Sequence, residues 1–136
     1  MKVSWPATIA LVLFGTAALA AEPFDGSVPF ACMPEKGHDC LPTEDSCKPL
    51  KPESDKAPEF GFDVGKKQVK SPFRTTLLPI QHVGKNKKSL VLQGTDLEFA
   101  WSAVINRTTG KMTVTVADRE GAYIAFGQCK VAADTK

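Results

Sequence analysis

The sequence predicts an all-β protein: a small antiparallel barrel or sandwich of six to eight strands, preceded by a disulfide-tied, proline-rich amino-terminal segment. Three observations carry that expectation. Between Ser89 and Cys129, apolar residues recur at every second position in consecutive runs separated by turn formers. Beyond residue 20, no stretch repeats apolar residues with the 3.6-residue period of an amphipathic helix. Four cysteines, an even number, follow an opening that reads as an export leader.

The leader comes first. Met1-Lys2 precedes an apolar run from Ala7 to Leu19, and Ala18-Leu19-Ala20 offers an A-x-A cleavage site before Ala21-Glu22. One early positive charge, a short apolar run and small residues at the cut describe a secretory signal peptide over residues 1–20. The run is too short to span a bilayer comfortably, and no basic stop-transfer cluster follows it. No later stretch is apolar enough to cross a membrane. A monomeric product of the periplasm or the exterior is expected, and it is not a transmembrane protein.

Residues 21–59 form the proline- and cysteine-rich segment and belong to one domain with the β-meander core of residues 60–130; residues 131–136 are a tail. Pro23, Pro29, Pro34, Pro42, Pro49, Pro52 and Pro58 exclude a regular helix and keep strands short. One strand is expected here, roughly Val28 to Met33, carrying Cys32 to the sheet. A disulfide-tied loop to Cys47 and an extended linker to Pro58 follow it. Four cysteines allow three pairings. Cys40 and Cys47 are close enough to close a small loop, leaving Cys32 for Cys129; Cys32–Cys40 with Cys47–Cys129 is the rival.

In the core, Phe60, Phe62 and Val64 alternate, Gly65-Lys66-Lys67 turns, and Gln68 to Ser71 returns as a hairpin. Phe73 to Val83 follows, with Pro79 implying an edge strand or a break. Gly84 to Lys88 is a polar turn, and Leu90 and Leu92 open the next strand. Phe99, Trp101, Ala103 and Ile105 alternate with Ala100, Ser102 and Val104. Asn106 to Gly110 turns the chain, and Met112, Val114 and Val116 share a face on the return. Arg119-Glu120-Gly121 turns again before a closing strand from Ala122 to Cys129.

The runs "LVLQG" (90–94), "AWSAVINRTTGKMTVTV" (100–116), "AFGQC" (125–129) and "FGFDVGKKQV" (60–69), with the cysteine loop upstream, resemble a type of small exported bacterial protein that carries no assigned function. The likeness covers most of residues 40–129. It implies a compartment and a fold, and no catalytic or ligand-binding residue comes with it.

Charge is unevenly placed. Residues 21–60 hold nine acidic and four basic side chains, while residues 61–136 hold six acidic and twelve basic ones. Folding back so that the two cancel is the commoner outcome. Within the basic half, Lys66, Lys67, Lys70, Arg74, Lys85, Lys87 and Lys88 make a block opposed only by Asp63. If the two turns meet, they form an anion-binding patch suited to an envelope polymer or lipid head groups rather than nucleic acid. Solubilising surface is the plainer reading.

Other candidates are weaker. Cys32, His38, Cys40 and Cys47 can be drawn as a zinc site, but the pairs with two to four residues between them that such sites favour are missing. No C-x-x-C suggests redox work and no G-x-S-x-G suggests a serine nucleophile; His82 reads as an exposed strand-end residue. Asp96 and Glu98 as a glycosidase pair amount to ordinary turn composition. Trp101 is a core residue in the plain reading and a stacking platform in the sharper one. Asn106-Arg107-Thr108 is formally a glycosylation sequon.

No catalytic residue, metal or cofactor is therefore expected. The leading expectation is a non-enzymatic domain that binds an envelope macromolecule or inhibits an envelope-degrading enzyme. The alternative is a barrel holding a small apolar ligand, with Ala100, Ala103, Ala122 and Ala125 as candidate inward small residues; a small hydrolase ranks third. Mass spectrometry of the exported product should find a chain beginning at Ala21. A full-length product retaining Met1 would remove the export argument.

Overall fold

The computed structural model describes residues 22–50, 59–72 and 75–132. The expected leader, most of the expected linker before Pro58, Phe73, Arg74 and the last four residues lie outside them. The described residues form ten strands and no helix: β1 (Phe30–Cys40), β2 (Lys48–Leu50), β3 (Phe60–Asp63), β4 (Gln68–Lys70), β5 (Leu78–Pro79), β6 (His82–Lys85), β7 (Ser89–Thr95), β8 (Phe99–Asn106), β9 (Lys111–Asp118) and β10 (Ala122–Val131). They make one antiparallel sheet in the order β5-β4-β3-β1-β10-β9-β8-β7-β6, with β2 also paired to β1.

That order forces the sheet to curl. Its two ends, β5 and β6, are separated in the chain by only Ile80 and Gln81. Two intervening residues reach at most about 11 Å, whereas the edge strands of a flat nine-strand sheet would stand about 38 Å apart. Hydrogen bonds mark the seam. The Ile80 amide donates to the Lys67 carbonyl beside β4, and the Gln81 amide donates to the Gln93 carbonyl of β7, each at 2.9 Å.

Ten strands exceed the six to eight expected, and prolines and pairing account for the difference. Pro79 ends β5 and splits the segment expected between Phe73 and Val83 into two pieces. Lys48–Leu50, expected as linker, pairs with Gly37–Asp39 of β1. The first strand also runs further than Val28 to Met33, continuing past Pro34 to Cys40. Proline has no N–H for the ladder, and the register shifts between Pro34 and Lys36 where that donor is missing. Gly127 sits opposite Pro34, and a Cβ there would collide with the Met33 carbonyl. The bulge and the glycine are therefore fitted to each other.

Alternation sets which residues face inward. Trp101, Ala103 and Ile105 of β8 are buried beside their cross-strand partners Val116, Val114 and Met112 of β9. Leu90 and Leu92 of β7 continue the same rows. Across the interior, Phe30, Phe62, Val69 and Leu78 form a row over β1, β3, β4 and β5. Phe30 stacks on Phe62 with centroids 5.2 Å apart, and Phe24 meets Phe30 edge-on at 5.9 Å. Of the four alanines, Ala103 and Ala125 are buried, whereas Ala100 and Ala122 are exposed and share an outward row with Ala117.

Phe24 closes one end of the curl. Its amide donates to the Arg107 carbonyl, and its ring lies over Gly110, whose φ of 73° suits glycine and whose missing side chain makes room for the ring.

The structure bonds Cys32 to Cys129 and Cys40 to Cys47, and no free cysteine remains among the described residues. Cys32 and Cys129 are direct partners across β1 and β10, and both are buried. In the chain-entropy model the long bridge contributes about 4.7 kcal/mol and the short one about 2.5. Cys129→Ser should destabilise the domain by about 2–5 kcal/mol in urea unfolding and expose the amino-terminal segment to protease. Cys47→Ser should cost less. Equal stability of the Cys129→Ser variant and the parent would remove the bridge from this account.

Candidate functional site

The two ends of the curled sheet are built differently. At the Phe24 end, the β3–β4 turn closes with the Lys67 amide donating to the Val64 carbonyl at 3.2 Å, with Lys67 at φ 54°. Asp63 Oδ1 accepts from the Lys66 amide at 3.0 Å, and its Oδ2 lies 3.6 Å from Lys66 Nζ. In the β6–β7 turn, Asn86 Oδ1 accepts from the amides of Lys88 and Ser89, each at 2.8 Å. The loop before β1 bridges these turns. Gly26 packs against the Val64 side chain, while the carbonyl of Asp25 accepts from Lys85 Nζ at 3.3 Å.

Lys66, Lys67, Lys85, Lys87 and Lys88 therefore gather at one end of the molecule, all exposed. Lys70 lies at the other end of β4, and Arg74 is outside the described residues. Sequence reading missed Arg107, which belongs to this end: its amide donates to the Lys88 carbonyl at 2.9 Å and its Nη1 to the Asn86 carbonyl. Asp25 partly offsets the positive charge. Hydrogen bonds from Ser27, with smaller contributions from Lys85 and Arg107, hold its carboxyl below the ordinary aspartate value.

The opposite end is open. A cavity of about 270 Å³ lies between the β3–β5 wall and the β8–β10 wall. Phe60, Phe62, Val69 and Leu78 line the first side; Phe99, Trp101, Val114 and Val116 line the second. Ser71, Asp118 and Tyr123 bring polar atoms to it. Each position follows from alternation, since Phe99, Trp101 and their partners Asp118 and Val116 all fall on the inward register. The Trp101 indole N–H is buried against Gly94 and has no hydrogen-bond partner, which costs about 1–3 kcal/mol.

Acidic residues from four segments surround this end. Asp39 stands next to the end of β1, Glu44 and Asp45 sit in the Cys40–Cys47 loop, Asp96 and Glu98 lie in the β7–β8 turn, and Asp118 and Glu120 lie at the β9–β10 turn. Among the described residues, Lys48 and Arg119 answer them by pairing locally with Glu44 and Glu120, and Lys70 stands exposed at the same end. Cancellation is partial among the described residues: Asp25 and Asp63 sit among the lysines, and Lys48, Lys70 and Arg119 among the acids, but most of each sign gathers at its own end.

The remaining sequence candidates fall elsewhere. Three cysteines of the drawn zinc site are locked in disulfides and cannot serve as thiolate ligands, while His38 stands exposed on β1. His82 is exposed at the start of β6. Asp96 and Glu98 bracket the fully exposed Leu97. Asn106 of the sequon spends its Oδ1 on the amides of Thr108 and Thr109, at 3.0 and 2.9 Å. Sequence reading did not place Phe60, Phe99 and Tyr123 around a shared space, because that depends on which strands face each other across the curl. No helix of the described residues is long and apolar enough to cross a membrane.

Comparison with known proteins finds no matching family model, no matching curated sequence and no matching solved structure.

Proposed function

We propose that this chain is an exported, non-enzymatic binding domain that carries a small, largely apolar ligand in the open end of a barrel-like sheet. The carrying observation is the cavity of about 270 Å³, walled on two sides by aromatic and branched aliphatic side chains. Two disulfides suit an oxidising compartment outside the cytoplasm. The leader over residues 1–20 agrees, so a periplasmic or secreted location is part of the same reading.

Burying roughly 250 Å² of apolar ligand surface at about 25 cal/mol/Å² is worth about 6 kcal/mol, a dissociation constant of tens of micromolar. Trp101 is the sole tryptophan of residues 21–136 and lines the cavity, so it reports on the site directly. Titration with the neutral dye N-phenyl-1-naphthylamine should give saturable energy transfer from Trp101. Val116→Phe, which fills the cavity from β9, should weaken the transfer at least tenfold while near-ultraviolet dichroism stays native. Absence of saturable transfer in the parent protein would overturn the reading.

A second reading rests on a different observation, the convergence of the β3–β4 and β6–β7 turns through the Asp25–Gly26 loop. The five lysines gathered there, with Arg107, suit an anionic polymer of the cell envelope. Replacing Lys85, Lys87 and Lys88 with Gln should then weaken retention on envelope material severalfold, and added salt should do the same to the parent. Equal retention of both proteins at low and high salt would leave these lysines as solubilising surface.

A further inference from the structure

Resting on the cavity reading, we infer that the ligand is a small organic cation, an amine or quaternary ammonium with an apolar body, bound with its charged head at the cavity mouth beside Asp118. Three features of the same end carry this. The first is the make-up of the wall. Five of its side chains are aromatic (Phe60, Phe62, Phe99, Trp101 and Tyr123), and aromatic faces attract cations through their negative quadrupole, most strongly where water is excluded.

The second is the placement of charge. Among the described residues, Asp118 is the one ionisable carboxylate in the lining, paired across the ladder with Phe99 at the open end of β9. Its Oδ1 accepts from the amides of Glu120 at 2.7 Å and Gly121 at 2.9 Å, which fixes the carboxylate and leaves Oδ2 to meet a ligand. The third is the surrounding field. Asp39, Asp96 and Glu98 lie around the same end, where Lys48 and Arg119 pair with Glu44 and Glu120 and Lys70 stands exposed at the end of β4. A positive head is drawn to such a mouth, and an anionic one is repelled. The five clustered lysines that would invert this preference stand at the far end, beyond the Phe24 plug.

The test uses three probes sharing a benzyl body: benzyltrimethylammonium, its uncharged carbon isostere neopentylbenzene, and phenylacetate. Trp101 quenching in the disulfide-intact protein reads all three. Benzyltrimethylammonium should bind about tenfold more tightly than the isostere, with phenylacetate weakest. Asp118→Asn keeps an acceptor for the Glu120 and Gly121 amides, so the turn survives; it should cost the cation about tenfold and leave the isostere unchanged. Equal affinities for cation and isostere would overturn the inference while sparing the cavity reading. A cation preference that Asp118→Asn does not reduce would overturn the role of this carboxylate. Failure of all three probes together with N-phenyl-1-naphthylamine would overturn both readings.

Discussion

The fold depends on the insertion of β1 between β3 and β10. Removing β1 from the order leaves β3–β5 on one side and β6–β10 on the other, joined among the described residues by backbone pairing only at the seam around Ile80 and Gln81. β1 brings Phe30 to the row with Phe62 and Val69, and Cys32 to the bond with Cys129. It comes from the part of the chain least suited to a central strand, one carrying prolines at positions 29 and 34. A bulge absorbs Pro34, the bare backbone of Gly127 admits the bulge, and the covalent bond holds the pair in register. The bond joins residues 97 apart in sequence. Closing so long a loop costs entropy that a few ladder hydrogen bonds would offset poorly on their own.

What was legible in the sequence follows from how local each cause is. The meander from Ser89 to Cys129 was readable because alternation, turn residues and strand length are all written within a few positions. Trp101, Ala103 and Ile105 face inward as that pattern implies. The extension of β1 past Pro34 was not readable, since it depends on a glycine more than ninety residues away. The same holds for β2, whose pairing with β1 follows from the short loop closed by Cys40–Cys47. Ala100 and Ala122, offered as inward small residues, face outward: the alternation of Ala100 with Phe99 and Trp101 already put it on the other face, while Ala122 opens a strand directly after a turn, where the phase is not yet set.

Charge shows the same divide between local and non-local causes. Lysine-rich turns were visible as a block, but their meeting required the Asp25–Gly26 loop to touch both. The acidic end was invisible as a unit, because it is assembled from four segments between Asp39 and Glu120 that come together only when the sheet curls. Strand direction does the sorting. In an antiparallel sheet, alternate turns emerge at the same end, so the chemistry of every second turn accumulates there. The lysine turns and the Phe24 plug share one end, and the acidic turns share the other.

The open end also bears on the role of the disulfides. A void of this size in a sealed core would cost about 6 kcal/mol at roughly 24 cal/mol/Å³, close to the whole stability of a marginal domain. Contact with solvent lowers that figure, yet Val114 and Val116 stand where larger residues would fill more of the space. Selection for stability alone favours filling it. Two covalent bridges restrain the unfolded chain instead, and their contribution does not depend on how the interior is packed. With stability drawn from crosslinks at Cys32–Cys129 and Cys40–Cys47, the residues at the open end need not fill the space between the two walls.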